Sequence, residues 1–153
     1  AEDEVGTTMR FIGDVDGLPQ KLVSDMHALE AETAGNPYVL QIALNYGGRA
    51  DIIHAVNALI AEGKTSVTED DITAHLYTAG QPDPDLIVRT AGEMRLSNFL
   101  LWQCAYAELY YTEKYWPAMT TADVDEAVFN FAHRKRRFGG LDKPEPSAKE
   151  NTL

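Results

Sequence analysis

Little in this 153-residue chain points to a site held by sulfur or imidazole. A single cysteine, Cys104, cannot build a disulfide framework, which fits a reducing, cytosolic compartment; in its apolar surroundings it reads as a packed structural thiol. The four histidines, His27, His54, His75 and His133, show no H-x-x-x-H spacing and have no C-x-x-C nearby, which argues against a His/Cys metal centre. No apolar run approaches the roughly 18–20 residues needed to cross a bilayer, and the acidic start AEDEVG is unlike a signal peptide. Positive charge is scarce too: 13 Lys and Arg against 24 Asp and Glu leave a formal net charge of −11, the opposite of a nucleic-acid surface. The few arginines therefore matter by position.

What is present is the composition of one globular domain, 44% hydrophobic and 24% charged. Residues 9–13, MRFIG, read as a short strand stopped by Gly13 and Asp14. Over residues 18–33 the apolar positions Leu18, Leu22, Met26 and Leu29 recur with a helical period, and Gly35 ends the helix. After the turn at Asn36 and Pro37, YVLQIALNY is a nearly continuous apolar run, the pattern of a strand buried on both faces. It leads through Asn45, Tyr46, Gly47, Gly48 and Arg49 into a helix whose apolar side is Ile52, Ile53, Val56, Leu59 and Ile60. The glycine pair permits a close approach, either of a ligand or of a neighbouring loop.

Thr68 with Asp71 resembles a cap for a short helix reaching about Tyr77. Thr120 or Thr121 with Asp123 opens a last helix through Val124, Ala127, Val128 and Phe131 to the cations Arg134, Lys135, Arg136 and Arg137, stopped by Phe138, Gly139 and Gly140. Such cations commonly oppose a helix dipole. The polar, proline-bearing residues 141–153 are expected to be a disordered tail. Alternating strands and helices predict an α/β fold with a parallel sheet and helices on both faces.

The densest chemistry lies in residues 83–111, DPDLIVRTAGEMRLSNFLLWQCAYAELYY. Residues 85–90 look like a buried strand running into a loop with Arg89, Glu93 and Arg95, and Ser97 is expected to open an apolar helix through Phe99, Leu101 and Trp102. Ligands in open α/β sheets gather beyond the carboxyl ends of strands, and helix amino termini favour anions. Two guanidiniums and a hydroxyl suit a diphosphate; equally, Arg89 could pair with Glu93 or Asp85, and Ser97 could be only a cap. Glu108, alone in an apolar stretch, needs an arginine or a cation such as Mg²⁺.

Four strings, IGD at 12–14, NYGGRADI at 45–52, the run at 85–111 and RRFGG at 136–140, stand in order and together resemble the carboxyl-terminal part of a cis-prenyltransferase, an undecaprenyl diphosphate synthase or close relative. The resemblance covers roughly residues 9–140. It implies a Rossmann-like fold and the addition of isopentenyl diphosphate units to an allylic diphosphate, such as farnesyl diphosphate, to build a long-chain lipid carrier. It further implies that Arg89, Arg95 and Ser97 hold the diphosphate of isopentenyl diphosphate and that Glu108 helps bind Mg²⁺. Arg137 and Gly139 would reach across a homodimer interface, and 45–49 with Glu93 would shape loops and the dimer contact. The enzyme would be cytoplasmic, at most peripheral at the inner face of the membrane that takes its product.

Two departures qualify the resemblance. The family's amino-terminal Asp-Gly-Asn motif, whose aspartate serves Mg²⁺ and the allylic diphosphate, is not in this sequence, so the 153 residues alone are expected to be inactive, with catalytic residues elsewhere. Ala91 stands where many members have Ser or Gly, and Met94 where some have His, a thioether being a poor ligand for a hard cation. The competing expectations are a noncatalytic partner subunit and an unrelated phosphate-binding domain. A helix of about 10 residues after Ser97 would also put Glu108 some ~15 Å from the phosphate loop, at 1.5 Å per residue.

Overall fold

A computed structural model describes residues 6–134. Strand β1 (Thr7–Ile12) pairs in parallel with β2 (Tyr38–Ala43), Thr7 opposite Tyr38 and Ile12 opposite Ala43. Between them, α1 (Gln20–Thr33) makes the crossover and packs on β1. Parallel strands need such a crossover, so the short apolar run, the helical period and the second run together dictate this unit. Gly13 closes β1 in a conformation open to glycine, φ +122°, and a Cβ there would lie 2.1 Å from the Leu44 carbonyl oxygen.

The β2 run is less covered than its sequence predicts. Tyr38, Val39 and Leu40 are 62%, 40% and 49% exposed, because β2 pairs only with β1 among the described residues. A continuous apolar run reports a strand's capacity to be buried on both faces, and burial itself requires neighbours.

Helix α2 (Gly48–Ala61) follows β2, then α3 (Glu69–Thr73). The Thr68 hydroxyl accepts from the Asp71 N–H at 3.2 Å while the Asp71 carboxylate accepts from the Thr68 N–H at 3.0 Å, the predicted cap. The helix stops at Thr73 rather than continuing to Tyr77; turns carry on from there. Ala55, Leu59, Ile72 and Leu76 form the core between α2 and α3, with Trp102 packed against it. The Trp102 indole N–H donates to Thr73 Oγ1 at 3.1 Å, satisfying its one polar atom.

Strands β3 (Leu86–Arg89) and β4 (Glu108–Tyr111) form a second pair. The Glu108 N–H donates to the Asp85 carbonyl and the Thr112 N–H to that of Arg89, both at 2.9 Å. These bonds advance together along both strands, so the pair is parallel as expected. A 3-10 turn (Trp116–Ala118) precedes α4 (Thr121–His133), where Asp123 receives the Thr120 N–H at 2.8 Å and hydroxyl at 2.7 Å. The described residues divide into two compact units, one of residues up to 87 with 94–109 and the other of residues 88–93 with those from 110 on. The expected tail, 141–153, lies outside the described residues.

Candidate functional site

The segment from Ser97 is not the helix its apolar pattern predicts. Residues 97–106 run as turns and bends, and Ser97, Asn98 and Leu100 take left-handed backbone angles of φ 49°, 64° and 45°. Left-handed residues break a right-handed helix, so Ser97 is no helix cap. The separation of ~15 Å expected for a helix therefore does not apply, since its premise of 1.5 Å per residue is absent. Three left-handed side-chain-bearing residues in four are unusual; such geometry persists where surrounding contacts over-determine it.

Those contacts come from the amino terminus of α2. The Gly48 N–H donates to the Asn98 carbonyl at 2.6 Å, and the Arg49 N–H donates to Asn98 Oδ1 at 2.9 Å. Asn98 thus satisfies two first-turn N–H groups that Gly47, lacking a side chain, cannot cap. A Cβ on Gly48 would sit 2.8 Å from the Leu101 backbone nitrogen, and one on Gly47 would sit 2.6 Å from Asn98 Nδ2. The group the glycine pair admits is the neighbouring loop.

Behind this junction lies a buried polar knot that sequence reading missed. Asp51, 1% exposed, receives the Tyr46 hydroxyl at 2.9 Å, the Gln103 amide at 3.0 Å and the Tyr77 backbone N–H at 2.8 Å. Gln103, 3% exposed, also donates from Nε2 to Thr78 Oγ1 at 2.8 Å. Burial first, then the bond to Asp51, pushes the Tyr46 hydroxyl pKa above its ordinary range. A signal existed: Asp51 and Gln103 are polar residues within apolar periodic stretches, as Glu108 is. Gln103 Oε1 makes no hydrogen bond among the described residues, and Gln103 also lines a cleft of about 300 Å³ with Ile12, Val39, Ala43, Phe99 and Leu100.

The predicted residues fall as follows. Arg95 and Ser97 are exposed on the loop of the first unit, and Glu108 is half-buried as the first residue of β4. Arg89 ends β3 in the second unit, and its buried Nε has no hydrogen-bond partner among the described residues. Beside it, Ala91 and Gly92 turn with left-handed angles, their N–H groups donating to Lys114 and Thr112 carbonyls at 2.8 and 2.9 Å. Met94 is 76% exposed. Arg137 and Gly139 lie outside the described residues. Cys104 is half-buried, and burial raises its thiol pKa, in keeping with a structural role.

Among the described residues no three His, Cys, Asp or Glu side chains gather to hold a metal ion. Glu108 fits Mg²⁺ in donor type as a single carboxylate, since that ion commonly takes one or two carboxylates and completes its shell with water and substrate phosphate.

Parallel strand pairs with helices between and after them define an α/β fold. The chain belongs to the undecaprenyl diphosphate synthase family of prenyltransferases, whose model, described as "Putative undecaprenyl diphosphate synthase", matches residues 1–139. An isoprenyl transferase of Fusobacterium nucleatum is 48% identical over 130 residues, 84% of this chain and 56% of that protein. One from Chromobacterium violaceum is 47% identical over 90% of this chain and 55% of its own length. The crystal structure of a probable undecaprenyl diphosphate synthase from Campylobacter jejuni superposes with a TM-score of 0.79 at 34% identity, covering 87% of this chain and 63% of the other. Lavandulyl diphosphate synthase from Lavandula x intermedia, solved with dimethylallyl diphosphate, gives 0.80 at 35%, covering 87% and 60%. The chain spans little more than half the length of the first two relatives.

Proposed function

We propose that these residues are the carboxyl-terminal part of a cis-prenyltransferase and carry its isopentenyl diphosphate half-site. The observation that carries the reading is the family membership over residues 1–139, which includes every residue of the expected half-site. Arg89, Arg95 and Ser97 bind the diphosphate, the guanidiniums through forked N–H donors and the serine through its hydroxyl. The buried, unpartnered Arg89 Nε supports this, because a donor left so is costly and a bound anion satisfies it. Glu108 supplies a carboxylate to Mg²⁺, which when bound neutralises diphosphate charge. Arg137 and Gly139 complete a neighbour's site in a homodimer.

In this reading the whole enzyme condenses isopentenyl diphosphate onto an allylic primer such as farnesyl diphosphate and delivers a polyprenyl diphosphate carrier to the membrane from the cytoplasm. No helix of the described residues is long and apolar enough to cross that membrane. The 153 residues span little more than half the length of these relatives, and in this reading the allylic site draws on the remainder, so that by themselves they are inactive. Incubation with Mg²⁺, farnesyl diphosphate and labelled isopentenyl diphosphate tests this: no polyprenyl product is expected, and long-chain product would contradict it.

A further inference from the structure

The Ser97 loop is fastened to α2 through the next residue, Asn98. Asn98 follows Ser97 directly, and its two acceptors close the first two N–H groups of α2 at 2.6 and 2.9 Å. That terminus is thereby occupied, so it offers those N–H groups to a residue of the chain rather than to an anion. Ser97 and Asn98 are both left-handed, a conformation an asparagine tolerates and a serine seldom adopts. Gly47 and Gly48 leave room for the contact, and Gln103, bonded to Asp51 and Thr78, holds the far end of the same loop. We propose that Asn98 is a positioning residue for Ser97, using the amino terminus of α2 as its platform. This rests on the reading of Ser97 as a diphosphate ligand.

Isopentenyl diphosphate titrations of the intact protein, followed by NMR with amide hydrogen exchange at Gly48 and Arg49, test it in Ser97→Ala, Asn98→Gly and Asn98→Asp. Asn98→Gly keeps the left-handed backbone and the carbonyl but loses Oδ1, so the Arg49 amide loses protection and affinity falls about 5- to 10-fold. Asn98→Asp retains an acceptor and keeps the Arg49 amide protected, a rescue that general destabilisation does not produce. Should Asn98→Gly not fold, Asn98→Ser, whose hydroxyl is too short to span the contact, carries the same comparison. If Ser97→Ala weakens binding while Asn98→Gly binds like the parent, the positioning role is wrong and the site stands. If Ser97→Ala binds like the parent, the reading of Ser97 falls and the role of Asn98 with it.

Discussion

Gln103 meets Asp51 inside the protein, its amide donating to the Asp51 Oδ2 at 3.0 Å with both side chains sealed from solvent. The two lie 52 positions apart, so one bond ties the first turn of α2 to the loop after Ser97. Asp51→Ala orphans the Tyr46 hydroxyl, the Gln103 amide and the Tyr77 N–H together, and is expected to cost about 3–4 kcal/mol in urea unfolding. Gln103→Leu, which leaves Asp51 two of its three donors, should cost less, about 1–2 kcal/mol.

The glycine pair predicts an asymmetry. A Cβ on Gly48 meets the Leu101 backbone nitrogen at 2.8 Å, whereas one on Gly47 meets only the tip of the Asn98 side chain at 2.6 Å. Gly48→Ala must displace main chain and should lose about 2–3 kcal/mol, and Gly47→Ala less than half of that, by the same unfolding measurement.

Ala91 takes φ 64°, where a Cβ is strained and glycine is not. Ala91→Gly is therefore expected to raise stability by about 0.5–1 kcal/mol, against the usual direction for that change. A lower thermal midpoint would contradict it.

Two ion pairs set opposite pH dependences. Glu62, then the Asp71 carbonyl, raise the His75 pKa above 6.5, so its contribution is full below that value and lost as pH rises through the folded pKa. The thermal midpoint difference between parent and Glu62→Gln should shrink from pH 6 to pH 8.5. Lys114, then Thr120, lower the Asp123 pKa from 3.8 to about 2, so its contribution is present above 3.8 and lost as pH falls towards 2. Lys114→Ala should lose stability near pH 4–5 and converge on the parent near pH 2 in circular-dichroism acid titrations.

Where the sequence spoke clearly, the signal was local. The β1, α1 and β2 series follows from apolar period and glycine stops, and Thr68 with Asp71 and Thr120 with Asp123 form the caps their spacing implies. The Ser97 segment misled because Phe99, Leu100, Leu101 and Trp102 carry the composition of a buried helix, while the segment, left-handed at Ser97, Asn98 and Leu100, is tied by Asn98 and Gln103 to residues 48–51, far away in sequence. The Asp51 and Gln103 knot is non-local for the same reason. Exposure of Tyr38 and Leu40 likewise depends on which strands stand beside β2, which its own residues do not encode.

The central claim is that Arg89, Arg95 and Ser97 form an isopentenyl diphosphate half-site, and calorimetric titration of that ligand with Mg²⁺ into the parent, Arg89→Ala, Arg95→Ala and Ser97→Ala tests it most directly. Charge-assisted contacts of about 1.5–3 kcal/mol each, set against the cost of association, predict weak binding by the parent, on the order of 1 mM, and a loss of about tenfold or more for either arginine variant. Binding of equal strength by the parent and all three variants would contradict the account.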